Sequence, residues 1–280
     1  MADMTVGQLE EALFSAFPRE DAECWDRPGL AIGQRGAHVG SVACALDMST
    51  QAVLEAAAAG CDVLVTHHPP YIKDGPASYG PADEASADGP GRMFYEAARQ
   101  GVSCIAMHTN ADRSVAVREA YARLLGCTCL GNFEHLMDAP RTAEGTGFGA
   151  LLAPQDGPVE LGELATRCVA AFGGAPRVWG KPERSIGRIA FLNGSWSEPE
   201  LYGICIRAGI DCMVVGETRY HVCVDAQPAL SVIELGHDKS ELAIVDVLAS
   251  AIAGLMGERP VMLESSRENW WVPTGEERHV

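Results

Sequence analysis

Positive charge is scarce in this chain. Its 280 residues include 21 Lys and Arg against 38 Asp and Glu, giving a formal net charge of −17 and a sequence pI near 4.8. No run of Lys and Arg interrupts that balance. A general nucleic-acid-binding role, which needs a basic patch to neutralise phosphates, is therefore not expected. CxxC pairs are absent as well. Of the ten cysteines, at 24, 44, 61, 104, 127, 129, 168, 205, 212 and 223, only Cys127 and Cys129 lie close together, which excludes a zinc ribbon. A chain of this length has no need of disulfide staples. Cys44, Cys61, Cys104 and Cys212 fall in apolar runs where a free thiol behaves as a small buried hydrophobe, so reduced cysteines and a cytoplasmic location are expected.

Long hydrophobic runs are missing too. The most apolar late segment, LAIVDVLASAIAGLMG, is broken by Asp246 and is short for a membrane span, so no membrane partner is expected. The opening MADMTVGQLEEALFSAF carries acids where an export signal needs a basic end. Nucleotide-binding loops fare no better. Gly180-Lys181 runs into Pro182 without the upstream glycine of a phosphate loop, and GTGFG (145–149) lacks the strand-to-helix turn of a dinucleotide fingerprint. No GxSxG elbow occurs.

What is present is an ordinary globular composition, 47% hydrophobic with 30 Gly, sufficient for one or two domains. Thr5 and Gln8 form a capping box ahead of a helix that Pro18 ends. VACAL (42–46) reads as a strand, Ser49 or Thr50 caps a helix stopped by Gly60, and DVLVT is a second strand. Residues 73–91, rich in Pro, Gly, Ala and Asp, read as a mobile loop or lid. A helix, the strand VSCIAM (102–107) and a helix capped by Ser114 follow. Beyond a break at about 130–147 comes a second set: GALLA, a helix near 159–172, RIAFLN, a helix near 198–208, CMVVG, LSVIEL and a helix over roughly 239–256. The alternation predicts an α/β fold of two α/β domains with mainly parallel sheets.

Ligands of open α/β sheets bind beyond the carboxyl ends of the strands. His67, His68, His108, Glu217 and His237 each sit at or just past such an end, and Asp112 follows His108 in the loop MHTNAD. His237 and Glu241 are four apart at a helix start and can share a face. Singly, each has an ordinary explanation: a hydrogen-bonded structural histidine, a turn-capping Asp112, a first-turn Glu241 favoured by the helix dipole. Glu217 and His221, in GETRYH, read equally as helix-start residues. Together they suit two divalent transition ions, since a carboxylate can bridge metals ~3.5–4 Å apart and imidazoles complete the shells. Neighbouring histidines entering a Pro-Pro turn can diverge and serve one metal each.

The motifs WDRPGLAIG (25–33), VTHHPP (65–70), HTNAD (108–112), VVGETRYH (214–221) and GHDKSE (236–241) occur in the order found in the NIF-three-like family, dinuclear metal centre proteins whose members often bear the name GTP cyclohydrolase I type 2 homologue. The resemblance runs from Trp25 to Glu241. It implies a metal site between two α/β domains and assembly as a toroidal homohexamer. On this mapping residues 1–135 plus 228–280 form the domain carrying most ligands, and 136–227 form an inserted second domain. The implied metal ligands are His67, His68, Asp112, His237 and Glu241. Glu241 would bridge, with His68 and Asp112 on one ion and His67 and His237 on the other. His108, Glu217 and His221 match positions near the site and would act catalytically, orienting ligands or carrying protons. The chain departs from the family in Arg27-Pro28 and in the arginine-free GTGFGALLA, positions that bear on substrate more than on metal.

The expected function is a hydrolase-like activity dependent on two divalent ions (Zn, Mn or Fe) per chain, acting on a small molecule, with a purine nucleotide such as GTP as leading substrate. The competing expectation is a non-catalytic metal-binding regulatory or scaffold protein whose ring assembly matters more than turnover.

Overall fold

The computed structural model describes residues 4–72, 74–81, 89–137 and 145–263. Strands run in chain order as β1 (Gly29–Ile32), β2 (Val42–Ala45), β3 (Val63–Thr66), β4 (Ser103–Ala106), β5 (Cys127–Gly131), β6 (Ala150–Pro154), β7 (Val159–Glu160), β8 (Arg177–Trp179), β9 (Ser185–Ile186), β10 (Ile189–Ser195), β11 (Cys212–Glu217), β12 (Ser231–Glu234) and β13 (Val261–Met262). The helices are α1 (Val6–Ala16), α2 (Thr50–Ala58), α3 (Gly89–Gln100), α4 (Thr109–Asp112), α5 (Val115–Leu124), α6 (Leu161–Phe172), α7 (Pro199–Arg207), α8 (Tyr220–Ala226) and α9 (His237–Met256).

Two sheets carry the fold. The first has the order β1-β4-β3-β2-β13, with β13, β2, β3 and β4 parallel and only β1 antiparallel. The second has the order β5-β6-β10-β11-β12-β8, with a parallel centre of β10, β11 and β12 and antiparallel flanks. The α/β class thus holds, with parallel pairing at the heart of both sheets. The second sheet draws on residues 127–234, so β5 and β12 extend it past both ends of the 136–227 span expected for an inserted unit.

Alternation along the strands explains the layering. Val63 and Val65 of β3 face the large core shared with α1, α5 and α9, while Leu64 faces a second core with α2 and α3. Phe191 and Val214 of the second sheet enter the same shared core, whereas Leu192, Met213 and Val215 pack beneath α7 and α8. Helix α9 is therefore held between the two sheets, in contact with β2 on one side and β10 and β11 on the other. Tyr121 of α5, stacked on Phe191 at 4.0 Å between ring centroids, helps join the halves.

The helix starts obey the expected chemistry. Thr5 and Gln8 make the reciprocal capping box of α1. Ser49 accepts from the Ala52 N–H, and Ser114 from the Val117 N–H. Residues 73 and 82–88 of the expected lid, residues 138–144 of the expected domain break, and the C-terminal tail from 264 lie outside the described residues. Among the described residues, no helix is long and apolar enough to cross a membrane.

Candidate metal centre

The parallel ladder itself delivers the histidine pair. The His67 N–H donates to Ala45 O and the His68 N–H to Leu46 O, so hydrogen bonding to β2 continues past the end of β3. The Thr66 hydroxyl donates to His68 O at 2.8 Å and fixes the turn that follows. One strand over, β4 ends at Ala106 and leads through Met107 into α4, which His108 precedes and Asp112 closes. From the second sheet, Asn193 and Gly194 come from the end of β10 and Glu217 from the end of β11. Helix α9 then begins at His237, which puts Glu241 one turn further along the same face.

Four imidazoles share one pattern of attachment. The Nδ1 of His67 meets Met107 O at 3.0 Å, that of His68 meets Asp47 Oδ1 at 2.7 Å, that of His108 meets Asp26 Oδ1 at 2.8 Å, and that of His237 meets Glu217 Oε1 at 3.2 Å. Each acceptor fixes its ring through Nδ1 and leaves Nε2 as the free donor atom, the usual support for a metal-binding histidine. The Nε2 of His67 lies 3.6 Å from Asp112 Oδ1 and 3.8 Å from Glu241 Oε1. The Nε2 atoms of His68 and His237 lie 2.9 and 3.2 Å from Glu241 Oε2. Asn193 donates to Asp112 at 2.7 Å and lies 3.4 Å from Glu241 Oε1.

These donors fit divalent metal. His67 is wholly buried, and its Nε2 has no hydrogen-bond partner among the described residues. Such an atom is costly unless something electrophilic meets it. Ligand atoms at ~2.0–2.2 Å from a tetrahedral ion lie roughly 3.3–3.6 Å from each other, close to the separations of His67 Nε2 from the two carboxylates. Three sets of ligand atoms lie within 4.8 Å of one another: the all-imidazole set His67, His68 and His108, and two that include Glu241, namely His67, Asp112 and Glu241, and His68, His237 and Glu241. Glu241 is common to both, as a bridging carboxylate requires. These two groupings differ from the pairing implied by resemblance, which put His68 with Asp112 and His67 with His237. The reason is the pleat: adjacent residues diverge, carrying His67 inward to α4 and His68 towards α9.

Without an ion the charges lean on one another. Burial opposes ionisation of Glu241, but the hydrogen bonds of His237 and His68 and the nearby charge of His67 outweigh it and hold its carboxyl well below the usual range. Burial, reinforced by the nearby Glu241 charge, pushes Asp112 the other way, upwards. Burial works against the charged form of His68, yet its bonds to Asp47 and Glu241 raise its pKa to about 10. The bond to Glu241 does most to lift His237 to about 9. Asp26 is buried too, but His108 and Thr109 lower its pKa to about 2; it accepts from the Thr109 N–H at 3.0 Å and also from the Thr109 hydroxyl.

His67, His68, Asp112, His237 and Glu241 are thus brought together, with His108 beside them at 5.2 Å from the His67 ring and 5.7 Å from that of His68. Glu217 is half exposed and reaches the centre only through His237. His221 is exposed on α8, its ring edge against Tyr220 at 5.4 Å, and makes no hydrogen bond to the centre among the described residues. Sequence reasoning passed over Asp26, Asp47 and Asn193. Asp47 and Asn193 occupy strand ends like the histidines, so the same positional rule applied to every polar residue would have found them.

A cavity of about 720 Å³ opens on this centre, lined by His108, Asp112, His237 and Glu241 together with Trp25, Phe148 and Trp196. The strand ends of two sheets thus converge on a set of histidines and carboxylates that could hold metal ions. The chain belongs to the Duf34/NIF3 (NGG1p interacting factor 3) family, whose model matches residues 4–266. A Streptomyces coelicolor relative named GTP cyclohydrolase 1 type 2 homolog is 29% identical over 242 residues, covering 84% of this chain and 81% of its own. A Helicobacter pylori protein named GTP cyclohydrolase 1 type 2 is 24% identical over 251 residues, covering 88% and 91%. In structure, a Staphylococcus aureus hypothetical protein superposes with a TM-score of 0.82 at 20% identity over 97% of this chain and all of its own. A Bacillus cereus protein related to NIF3 gives 0.75 at 17% identity over 94% and 96%.

Proposed function

We propose that this protein is a hydrolase of the GTP cyclohydrolase type, dependent on two divalent ions (Zn, Mn or Fe) per chain. His67, Asp112 and Glu241 would hold one ion, and His68, His237 and Glu241 the other. The observation that carries this reading is the common attachment of the imidazoles: every Nδ1 is occupied by an acceptor, and three Nε2 atoms converge on the same buried Glu241. Such ions supply Lewis-acid activation of water near neutral pH.

The protein's own groups do the rest. Asp47, Met107 O and Glu217 fix the rings, and Asn193 steadies the two carboxylates. His108, held by Asp26 through Nδ1, lines the cavity and would take a proton from water or return one to the leaving nitrogen. Glu217 and His221 lie outside this inner set, Glu217 as the orienting partner of His237. A cytoplasmic homohexameric ring belongs to the same reading and rests on the family resemblance, with light scattering of the purified protein as its check.

Elemental analysis tests the core of the proposal. About two equivalents of zinc, manganese or iron per chain are expected, falling to background in the His67→Ala, His68→Ala double variant. Protein that retains no ion after exposure to all three overturns it. If loaded protein converts no nucleotide or phosphoester faster than Glu241→Gln, the non-catalytic scaffold reading takes its place.

A further inference from the structure

The cavity walls say what kind of molecule they receive. Trp25, Phe148 and Trp196 supply aromatic surface beside the centre. Trp196 is fixed by its Nε1–H, which donates to Asn193 O at 2.7 Å, and its ring meets Phe148 edge-on at 5.7 Å between centroids. The guanidinium of Arg113 covers Phe148 at 3.9 Å. Fixed aromatic faces of this kind receive planar heterocycles by stacking, with little side-chain entropy to lose.

The charge of the same lining points away from phosphate. Its described residues include six carboxylates, Glu23, Asp112, Glu134, Glu198, Glu200 and Glu241, against a single guanidinium, Arg113, and no lysine. That guanidinium is buried and committed. It donates to Asp21 O at 2.6 Å, to Glu23 at 2.6 Å and to Glu134 at 3.0 and 3.3 Å. Six carboxylates and one guanidinium leave about five negative charges, of which two divalent ions would return four. The loaded cleft therefore stays slightly negative, and a triphosphate would add several negative charges of its own. Any phosphate would have to reach the ions themselves, in competition with water.

We infer that the cleft binds an uncharged planar nitrogen heterocycle, a nucleobase or nucleoside, in preference to its 5′-polyphosphate. The inference rests on the proposed metal-dependent activity for the site's purpose, and on the cleft walls alone for its selectivity. It assigns Trp196 as a stacking residue and Glu198 and Glu200 as the acids that turn phosphates away.

The test compares guanosine, GMP and GTP as ligands of zinc-loaded full-length protein by calorimetry at low ionic strength. Guanosine is expected to bind at least tenfold more tightly than GTP, with GMP between. In Glu198→Gln, Glu200→Gln protein, GTP should gain several-fold while guanosine is unchanged. In Trp196→Ala protein, guanosine should lose tenfold or more with zinc content intact. GTP binding as tightly as guanosine, or none of the three binding to protein that holds its zinc, overturns the inference. Zinc content is measured on the same samples, and the comparison is repeated on metal-free protein, whose cleft walls are the same. Loss of the metal reading is thereby separated from loss of the selectivity.

Discussion

At the scale of single residues, the centre depends as much on groups that hold imidazoles as on the imidazoles. Asp47 is the clearest case: its carboxylate takes the His68 Nδ1 at 2.7 Å and sets which nitrogen faces Glu241. Asp47→Asn should weaken zinc binding by roughly 10–100-fold, read by competition with a chelator, and an unchanged affinity would remove Asp47 from the site. The histidine charges make a second prediction. With His68 raised to about 10 and His237 to about 9, from an unfolded value near 6.5, their protonation favours the metal-free folded state. That contribution is complete below pH ~6.5 and is lost as pH climbs towards 9 and 10. Thermal scans in chelator should therefore show stability falling between pH ~6.5 and 8. Zinc, which binds the neutral imidazole, should abolish the fall. A flat profile in chelator would contradict the geometry of the bonds to Glu241.

At the scale of elements, the site exists because α9 comes very close to the ends of β10 and β11. A Cβ on Gly216 would stand 2.3 Å from Gly194 O and 2.5 Å from Ser240 Oγ, and one on Gly194 would stand 2.6 Å from Glu241 Oε1. Ser240 Oγ in turn accepts from the Gly194 N–H at 3.0 Å. Gly216→Ala should therefore cost ~1–3 kcal/mol in denaturant unfolding, and zinc affinity should fall with it, because Glu241 moves with the helix. A variant as stable as the parent would show that the contact can relax. Elements of this inner set were legible in sequence: VACAL, DVLVT, VSCIAM and CMVVG are continuous apolar runs, and buried parallel strands read that way. The edges were not. Strand β5, CTCLG, is only partly buried, and β8, Arg177–Trp179, is three residues with two exposed. Neither offers a run or a clear alternation. Helix α4 is a single turn, too short for any period, although it places Asp112. The strand-end rule pointed to His67, His68 and His237 without it, because it depends on sheet topology rather than on helix signals, and Asp112 and Glu241 followed from their spacing to His108 and His237. It could not assign ligand to ion, since that depends on which way each of two neighbouring side chains leaves the pleat.

At the scale of the whole molecule, the centre works as a clasp. His67, His68 and Asp112 belong to the first sheet's side, Asn193 to the second sheet, and Glu241 and His237 to the helix packed between them. An ion held by this set binds only when both sheets and α9 are in place, so it stabilises the folded chain by mass action. At a hundredfold excess of free zinc over Kd, each site adds ~2.7 kcal/mol. For this chain of 280 residues an unfolding entropy of ~2.1 cal/mol/K per residue gives about 1.7 °C of Tm per kcal/mol, so a shift of roughly 4–5 °C per saturated site is expected. The two groups should also be separable. Asp112→Asn removes a donor only from the His67 group, and His237→Ala only from the His68 group. Each should keep about half the metal and about half the thermal shift, whereas Glu241→Gln, which touches both, should lose nearly all of each. Equal losses in all three variants would mean that the ions bind as a single cooperative cluster, with neither group competent alone. A sequential loss would mean that the carboxylate from α9 is the sole element joining two independent pockets.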